Sequence, residues 1–286
     1  MDSEAIAALA ALARTKALQL RHGPAAYFIQ AMLAGVYVGL GIILIFAIGA
    51  PLSAAGSAAT KTVMGASFGL ALTLVIFAGS ELFTGNNLTM TVGALARTVS
   101  PAALGKVWGV SFLGNLAGSL LVALAVIESG LFSKAPANIF VTSVVAAKMG
   151  APALELILRG VLCNVLVCLA VWMGTRTKSE SARLVLIFWC LFGFIGAGFE
   201  HSVANMTLLA MGLLLPHDPA AISWLLFSRN LLLVTAGNVL GGALLVAVPY
   251  FVIARSQQQI ARLSAVLAVP EPAAKGAGLQ LAAAGE

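Results

Sequence analysis

Between residues 25 and 50 the chain carries no charged side chain. At about 1.5 Å per helical residue, such a run is long enough to cross the roughly 30 Å hydrocarbon layer of a bilayer. Five more apolar runs follow, at about 63–97, 105–127, 153–174, 183–215 and 229–254. Only 9% of the 286 residues are charged and 60% are hydrophobic. Soluble domains run near a quarter charged and about half apolar. The chain is therefore neither a soluble enzyme nor a disordered polymer. Outer-membrane strands would read as short alternating segments, which these runs are not. The composition points to an all-α polytopic membrane protein with six transmembrane helices.

Two of the runs are too long for one straight crossing. The second is interrupted by Ser80-Glu81-Leu82-Phe83-Thr84-Gly85-Asn86-Asn87, and the fifth by Phe199-Glu200-His201-Ser202-Val203-Ala204-Asn205. Both spans are expected to be broken there. An unwound stretch leaves backbone N–H and C=O groups that hydrocarbon cannot satisfy. It survives at membrane depth only where it lines a cavity or packs in protein. Its freed N–H groups and half-helix N-termini suit an anion.

Residues 1–24 are expected as a cytoplasmic, weakly amphipathic N-terminal helix over 1–22, with Ile6, Leu9, Ala13 and Leu20 opposite Arg14 and Arg21. It either lies on the membrane surface or serves as a gate flap. Residues 25–254 form the six-span domain. Residues 255–286, Gly/Ala-rich and holding Pro270 and Pro272, are expected as a flexible cytoplasmic tail. No cleavable signal is expected before the first run, because Arg14, Lys16 and Arg21 precede a full-length span. With the N-terminus inside, the inner segments hold eleven Lys and Arg and the outer loops four (Lys61, Lys134, Lys148 and Arg229). That bias puts both termini in the cytoplasm. It also explains the net charge of +6 without nucleic acid, since no basic stripe exists. Cys163, Cys168 and Cys190 lie within apolar runs and read as buried thiols.

The halves echo each other. Gly114-Asn115-Leu116-Ala117-Gly118 in span three matches Gly237-Asn238-Val239-Leu240-Gly241 in span six, each a small-residue helix contact with an Asn beside the first Gly. Gly35 and Gly39 in span one are set against Gly160 and Asn164 in span four. Glu81 precedes Asn86 by five residues, as Glu200 precedes Asn205. Three spans per half is odd, so the repeats are inverted. Inverted repeats with one broken helix each are a transporter or channel architecture.

His201 and Glu200 sit inside the second break, where ionisable groups are costly and mark function. An imidazole can attract an anion and can pass it a proton, and Glu200 can orient the ring. Thr84 can donate a hydrogen bond to an anion or cap the following helix. Glu81 is expected to satisfy local backbone N–H groups. Lys148 can attract anions, pair with Glu200, or be a solvated loop lysine. Glu155 and Arg159 form a structural pair one turn apart. The stretch Gly65-Ala66-Ser67-Phe68-Gly69 formally matches G-x-S-x-G. It lacks the strand-to-helix elbow that a serine hydrolase needs and reads as packing glycines. No P-loop, haem, EF-hand or paired metal signature appears, so no cofactor or metal is expected.

At these residues the chain resembles the formate/nitrite transporter family, nearest its nitrite-channel branch. The matching stretches are Ala34-Gly35-Val36-Tyr37-Val38-Gly39-Leu40-Gly41, Gly79-Ser80-Glu81-Leu82-Phe83-Thr84-Gly85, Cys163-Asn164-Val165-Leu166-Val167-Cys168-Leu169-Ala170-Val171-Trp172-Met173, Glu200-His201-Ser202-Val203-Ala204-Asn205-Met206-Thr207, and Gly237-Asn238. The resemblance implies an aquaporin-like protomer assembled as a homopentamer in the bacterial inner membrane, with one pore per protomer among membrane lipid. It implies that His201 faces Thr84 at the pore centre, with Glu200, Lys148 and Asn164 as a polar network around it. It maps apolar constrictions onto Phe68, Leu72, Leu82, Phe83, Val167 and Phe194.

The expected function is passage of small monovalent anions of weak acids, nitrite first, with formate and hydrosulfide as alternatives. Either His201 protonates the anion so that the neutral acid passes, or Thr84, His201 and backbone dipoles carry it charged. A channel for neutral solutes and an intramembrane serine hydrolase are the rival classes.

Overall fold

The computed structural model describes residues 2–267, and all regular structure among them is helical. Helix α1 (Asp2–His22) precedes α2 (Pro24–Ala54). The second span is α3 (Thr60–Ser67), a turn at Phe68 and α4 (Gly69–Phe77), then α5 (Phe83–Leu95) beyond a break. Helix α6 (Pro101–Glu128) closes the first half. The second half runs α7 (Ala137–Gly150), α8 (Ala153–Thr175), α9 (Glu180–Ala197), α10 (Ser202–Leu214) after its own break, and α11 (Trp224–Val239). Helix α11 continues through a π-helical stretch, Leu240–Ala247, into α12 (Val248–Leu267). Six of these helical units are long and apolar enough to cross a membrane.

Local chemistry fixes the ends. Ser100, Ser179 and Ser223 each accept a backbone N–H of the first turn they precede, and Pro101 follows Ser100 at a position that needs no donor. Each half-span stops at a glycine in the left-handed region, Gly79 at φ +75° and Gly198 at φ +79°. A side chain is strained there, and the chain leaves the helix axis at that point.

The breaks are shorter than the sequence suggests. Helix resumes at Phe83 and at Ser202, so residues 83–87 and 202–205 are wound. Polar residues in the first turns, read as loop, are instead helix N-terminal. Helix α7 falls where the sequence reading placed only an outer loop. Beyond residue 254 the chain stays helical to Leu267, whereas a flexible tail was expected from 255. The rest of that tail, 268–286, lies outside the described residues.

The inverted repeat is visible in the backbone. The Glu81 N–H donates to the Gln30 carbonyl and the Glu200 N–H to the Arg159 carbonyl, each at 3.2 Å. Asn115 Nδ2 donates to the Ala31 and Glu81 carbonyls while Oδ1 accepts the Phe83 N–H. Asn238 Nδ2 donates to the Gly160 and Glu200 carbonyls while Oδ1 accepts the Ser202 N–H. Gly160 thus corresponds to Ala31, and Asn164 to Gly35. The sequence pairing of Gly35 and Gly39 with Gly160 and Asn164 was one turn out of register. Small residues recur every three or four positions on these helices, so spacing alone could not choose the turn.

Glycines let the helices approach. A Cβ on Gly118 would lie 1.9 Å from the Met32 carbonyl oxygen of α2, and one on Gly237 2.2 Å from that of Ile157 in α8. No side chain fits, so α6 on α2 and α11 on α8 pack backbone to backbone.

Candidate functional site

Three cavities line up through the protomer. One of about 540 Å³, beside α7, is lined by Lys61, Lys148, Phe194 and His201 among others. One of about 360 Å³, beside α1, is lined by Lys16, Leu72, Leu82 and Arg183 among others. Between them is a space of about 10 Å³ bounded by Val38, Leu72, Leu82, Val167, Leu191 and His201, with Phe68, Ala71 and Phe194. His201 and Phe194 are shared with the α7-side vestibule, Leu72 and Leu82 with the α1-side one. The lining follows the repeat, in which Val38 matches Val167, Leu72 matches Leu191, and Leu82 matches His201. The constriction sits where the halves meet, and among these three matched pairs the residue type departs most at the third, where an imidazole stands opposite a leucine.

His201 is only 4% exposed. Its Nδ1 accepts the Ala204 N–H at 3.1 Å and so caps α10. A ring nitrogen that accepts carries no hydrogen, so the neutral ring holds its proton on Nε2. Nε2 is 2.9 Å from Thr84 Oγ1 and donates to it. The Phe194 ring lies nearly parallel to the imidazole, with centroids 5.8 Å apart and 16° between planes. Phe68 meets Phe194 edge-on at 5.5 Å. Thr84 does not cap α5, whose N-cap is Leu82. Its hydroxyl turns to His201 instead.

Each vestibule holds a lysine bonded to the glutamate of its break. Lys148 Nζ donates to both Glu200 oxygens at 2.7 and 2.8 Å. Asn205 donates to the same carboxylate at 2.7 Å and to Asn230, which donates to the Lys148 carbonyl. In the other half Lys16 reaches both Glu81 oxygens at 2.6 Å, joined by the Tyr27 hydroxyl and Asn86. The expectation that Glu81 binds local backbone N–H groups is corrected. Asn115 serves the backbone, and the carboxylate faces a lysine. Lys61 and Arg183 add a cation to each vestibule with no carboxylate partner among the described residues.

The structure thus brings together Thr84 with His201, and Lys148 with Glu200. Asn164 joins the Thr84 side of this arrangement rather than Glu200 and Lys148: its Nδ2 donates to the Thr84 carbonyl at 3.4 Å, to Asn87 Oδ1 and to the Asn238 carbonyl, which ties α8 to α5 and α11. Phe68, Leu72, Leu82, Val167 and Phe194 bound the narrow space. Phe83 does not, because its ring packs on Trp108 and Phe112 of α6. Position 83 is the first turn of α5 and faces away from the axis that Leu82 faces. Ser67, the serine of the G-x-S-x-G match, donates to the Val63 carbonyl within its own helix. Arg159 pairs with Glu155 at 2.5 Å on an exposed face.

In the sequence Lys16 counts only toward topology, and the structure makes it the partner of Glu81. A signal was present: it falls on the buried stripe of α1 with Ala5, Leu9 and Ala13. A lysine on the apolar face of a helix needs an acidic partner. Lys148 shares the buried side of α7 with Val141, Val145 and Met149 in the same way.

The pairing has a measurable consequence. Lys148→Met strands the buried Glu200 carboxylate and should lower stability by about 3 kcal/mol. Lys148→Met with Glu200→Gln should recover most of it, because no charge is left unpaired. Thermal unfolding of the purified full chain reads both, and equal losses in the two variants would refute the coupling.

Comparison with known proteins bears on the whole arrangement. Residues 3–252 match the family model described as formate/nitrite transporter. The nitrite transporter NirC of Salmonella typhimurium is 44% identical over 230 residues, 80% of this chain and 84% of that protein. A solved structure described as an FNT family ion channel superposes with a TM-score of 0.82 at 43% identity, covering 87% of this chain and 98% of its own. A pentameric formate channel with formate bound gives a TM-score of 0.68 at 26% identity, covering 79% and 96%.

Proposed function

The chain belongs to the formate/nitrite transporter family, and from that premise we propose that it conducts small monovalent anions of weak acids, with nitrite as its substrate. The observation that carries the reading is the narrow space itself. It joins two cation-bearing vestibules and holds one polar side chain, His201, in an otherwise apolar ring. The 44% identity to a nitrite transporter favours nitrite over formate, since the formate-bound neighbour is 26% identical.

Lys61 and Lys148 on one side, and Lys16 and Arg183 on the other, attract the anion into either vestibule. A bare ion cannot continue cheaply, because its idealised desolvation cost is of order 20 kcal/mol. Two features act at the constriction. The apolar walls favour the uncharged form of any weak acid that enters, because burial penalises the charged form. The imidazole, held as the Nε2–H tautomer, donates to Thr84 Oγ1, which leaves the Thr84 hydroxyl proton as the donor that the pair offers the passing oxygen. Its Nδ1 is committed to the Ala204 N–H, so a second ring proton would have to break the cap of α10. The proton that neutralises the anion therefore comes from vestibule water, with His201 and Thr84 as the polar station it passes.

The same reading places residues 25–254 as the conducting unit, flanked by 1–24 and 255–286. It places both termini in the cytoplasm of a bacterium and five copies in the inner membrane. The apolar residues exposed on the outside of the bundle, Leu225 and Leu232 among them, suit lipid and neighbouring protomers.

Proteoliposomes with the purified full chain should take up nitrite at a rate that rises as external pH falls, with acidification of the lumen. Excess formate should compete only weakly. Uptake unaffected by pH, carrying current but no proton, would overturn the neutral-acid step. Osmotic swelling with a neutral solute and no anion flux would overturn the function.

A further inference from the structure

Away from the conduit, α1 and the start of α6 enclose a groove of about 670 Å³. Arg14, Arg21 and Lys106 line it, and no Asp or Glu among the described residues does. None of the three cations has a carboxylate partner among the described residues. Arg14 and Arg21 are two turns apart on one side of α1, so they face the groove together. The groove meets the first turns of α6, whose N-terminal dipole end adds positive potential. Its other walls are mostly apolar, with Leu18, Val107 and Val110 beside Thr98 and Ser100. On α6 the groove passes into an exposed stripe, Ala102, Gly105, Gly109 and Leu113. A Cβ on Gly105 or Gly109 would meet nothing within 4 Å, and Leu113 is 57% exposed. A strong cationic pocket thus opens onto a shallow apolar trough running along a membrane-spanning helix.

That combination has one natural complement. A free anion would use the cations but not the trough, and a neutral acyl chain would use the trough but not the cations. We propose that the groove binds the headgroup of an anionic glycerophospholipid from the leaflet on the α1 side. The phosphate sits among Arg14, Arg21 and Lys106, and one acyl chain lies over Gly105 and Gly109. The lipid would bridge α1 to α6 at their solvent edge, opposite the face where Lys16 meets Glu81. Charged contacts near a membrane surface act per side chain, so losing three should weaken binding about 150-fold. The site is independent of which anion the conduit carries.

The test is native mass spectrometry of the full chain in micelles of phosphatidylglycerol and phosphatidylcholine. Wild type should retain phosphatidylglycerol preferentially. Arg14→Gln/Arg21→Gln/Lys106→Gln should lose that preference, and so should Gly105→Leu/Gly109→Leu, which fills the trough and leaves every charge in place. Lys106→Arg should keep it. Nitrite flux and elution volume confirm that each variant is folded. Equal retention in wild type and the triple variant overturns the proposal. So does an equal loss in Arg255→Gln/Arg262→Gln, cations of a different groove, which would mean diffuse attraction. Displacement of the lipid by millimolar inorganic phosphate would identify a free-anion site instead. A change in assembly size with lipid retention intact would identify a contact between protomers.

Discussion

Replacing His201 with Phe should cut nitrite flux by about tenfold to a hundredfold while the protein still folds and assembles. The ring is flat and stacks on Phe194, so phenylalanine fits the same slot. What it removes is chemical: the Nε2–H donated to Thr84 and the acceptor for the Ala204 N–H. The lost cap costs about 1 kcal/mol of stability, which a six-span bundle can absorb. The lost donor leaves the narrow space with no polar group of its own. A hydrogen bond is worth about 1–3 kcal/mol at a desolvated site, and each 1.4 kcal/mol is about tenfold in rate. His201→Asn is the informative partner. Its shorter side chain still carries an acceptor for Ala204 but does not reach Thr84, so stability should return without the wild-type rate. Initial uptake in proteoliposomes, normalised to assembled protein, measures both. Wild-type flux in His201→Phe would remove the imidazole from the mechanism.

The second large effect lies in the scaffold. Asn238→Leu should cost about 3–5 kcal/mol and drop the melting temperature by about 10 °C or more. Leucine has nearly the same shape, so packing is kept. Three hydrogen bonds disappear: from the Ser202 N–H at 2.9 Å, to the Gly160 carbonyl at 2.8 Å and to the Glu200 carbonyl at 3.0 Å. The Ser202 and Glu200 groups belong to the break and have no helical partner. Asn238, Ser202 and Glu200 are all buried, and each orphaned group there costs about 1–3 kcal/mol. Asn115→Leu should do the same to the first break, because its three bonds are equivalent. Asn238→Asp should be no milder, because it buries a carboxylate against the Gly160 and Glu200 carbonyls. Monodisperse Asn238→Leu with unchanged melting would show that the break is held by packing alone.

These two asparagines mark where sequence reading succeeded and where it stopped. Each was visible as the odd polar residue beside a packing glycine, which sufficed to detect the repeat. The task of each was hidden, since the backbone groups it satisfies lie on two other helices. Lys16 and Glu81 are 65 positions apart, and neither implies the other until α1 is laid against the first break. Phe83 and Leu82 are neighbours in the chain and equally apolar. Only the direction in which α5 leaves the break sends one to the conduit and the other to α6. Asn164 sits on the α5 side of α8, so it bonds the Thr84 carbonyl and Asn87 rather than Glu200.

What the sequence determined by itself was the membrane, the six crossings, the two broken spans and the presence of an ionisable pair inside one of them. All follow from the cost of putting polar groups in hydrocarbon, which is paid residue by residue and so is written locally. Only the tertiary structure decided which lysine meets which glutamate, which nitrogen of His201 carries the proton, and which apolar side chains close the passage. Those choices depend on a few ångströms of helix rotation and register, and packing between distant segments sets them.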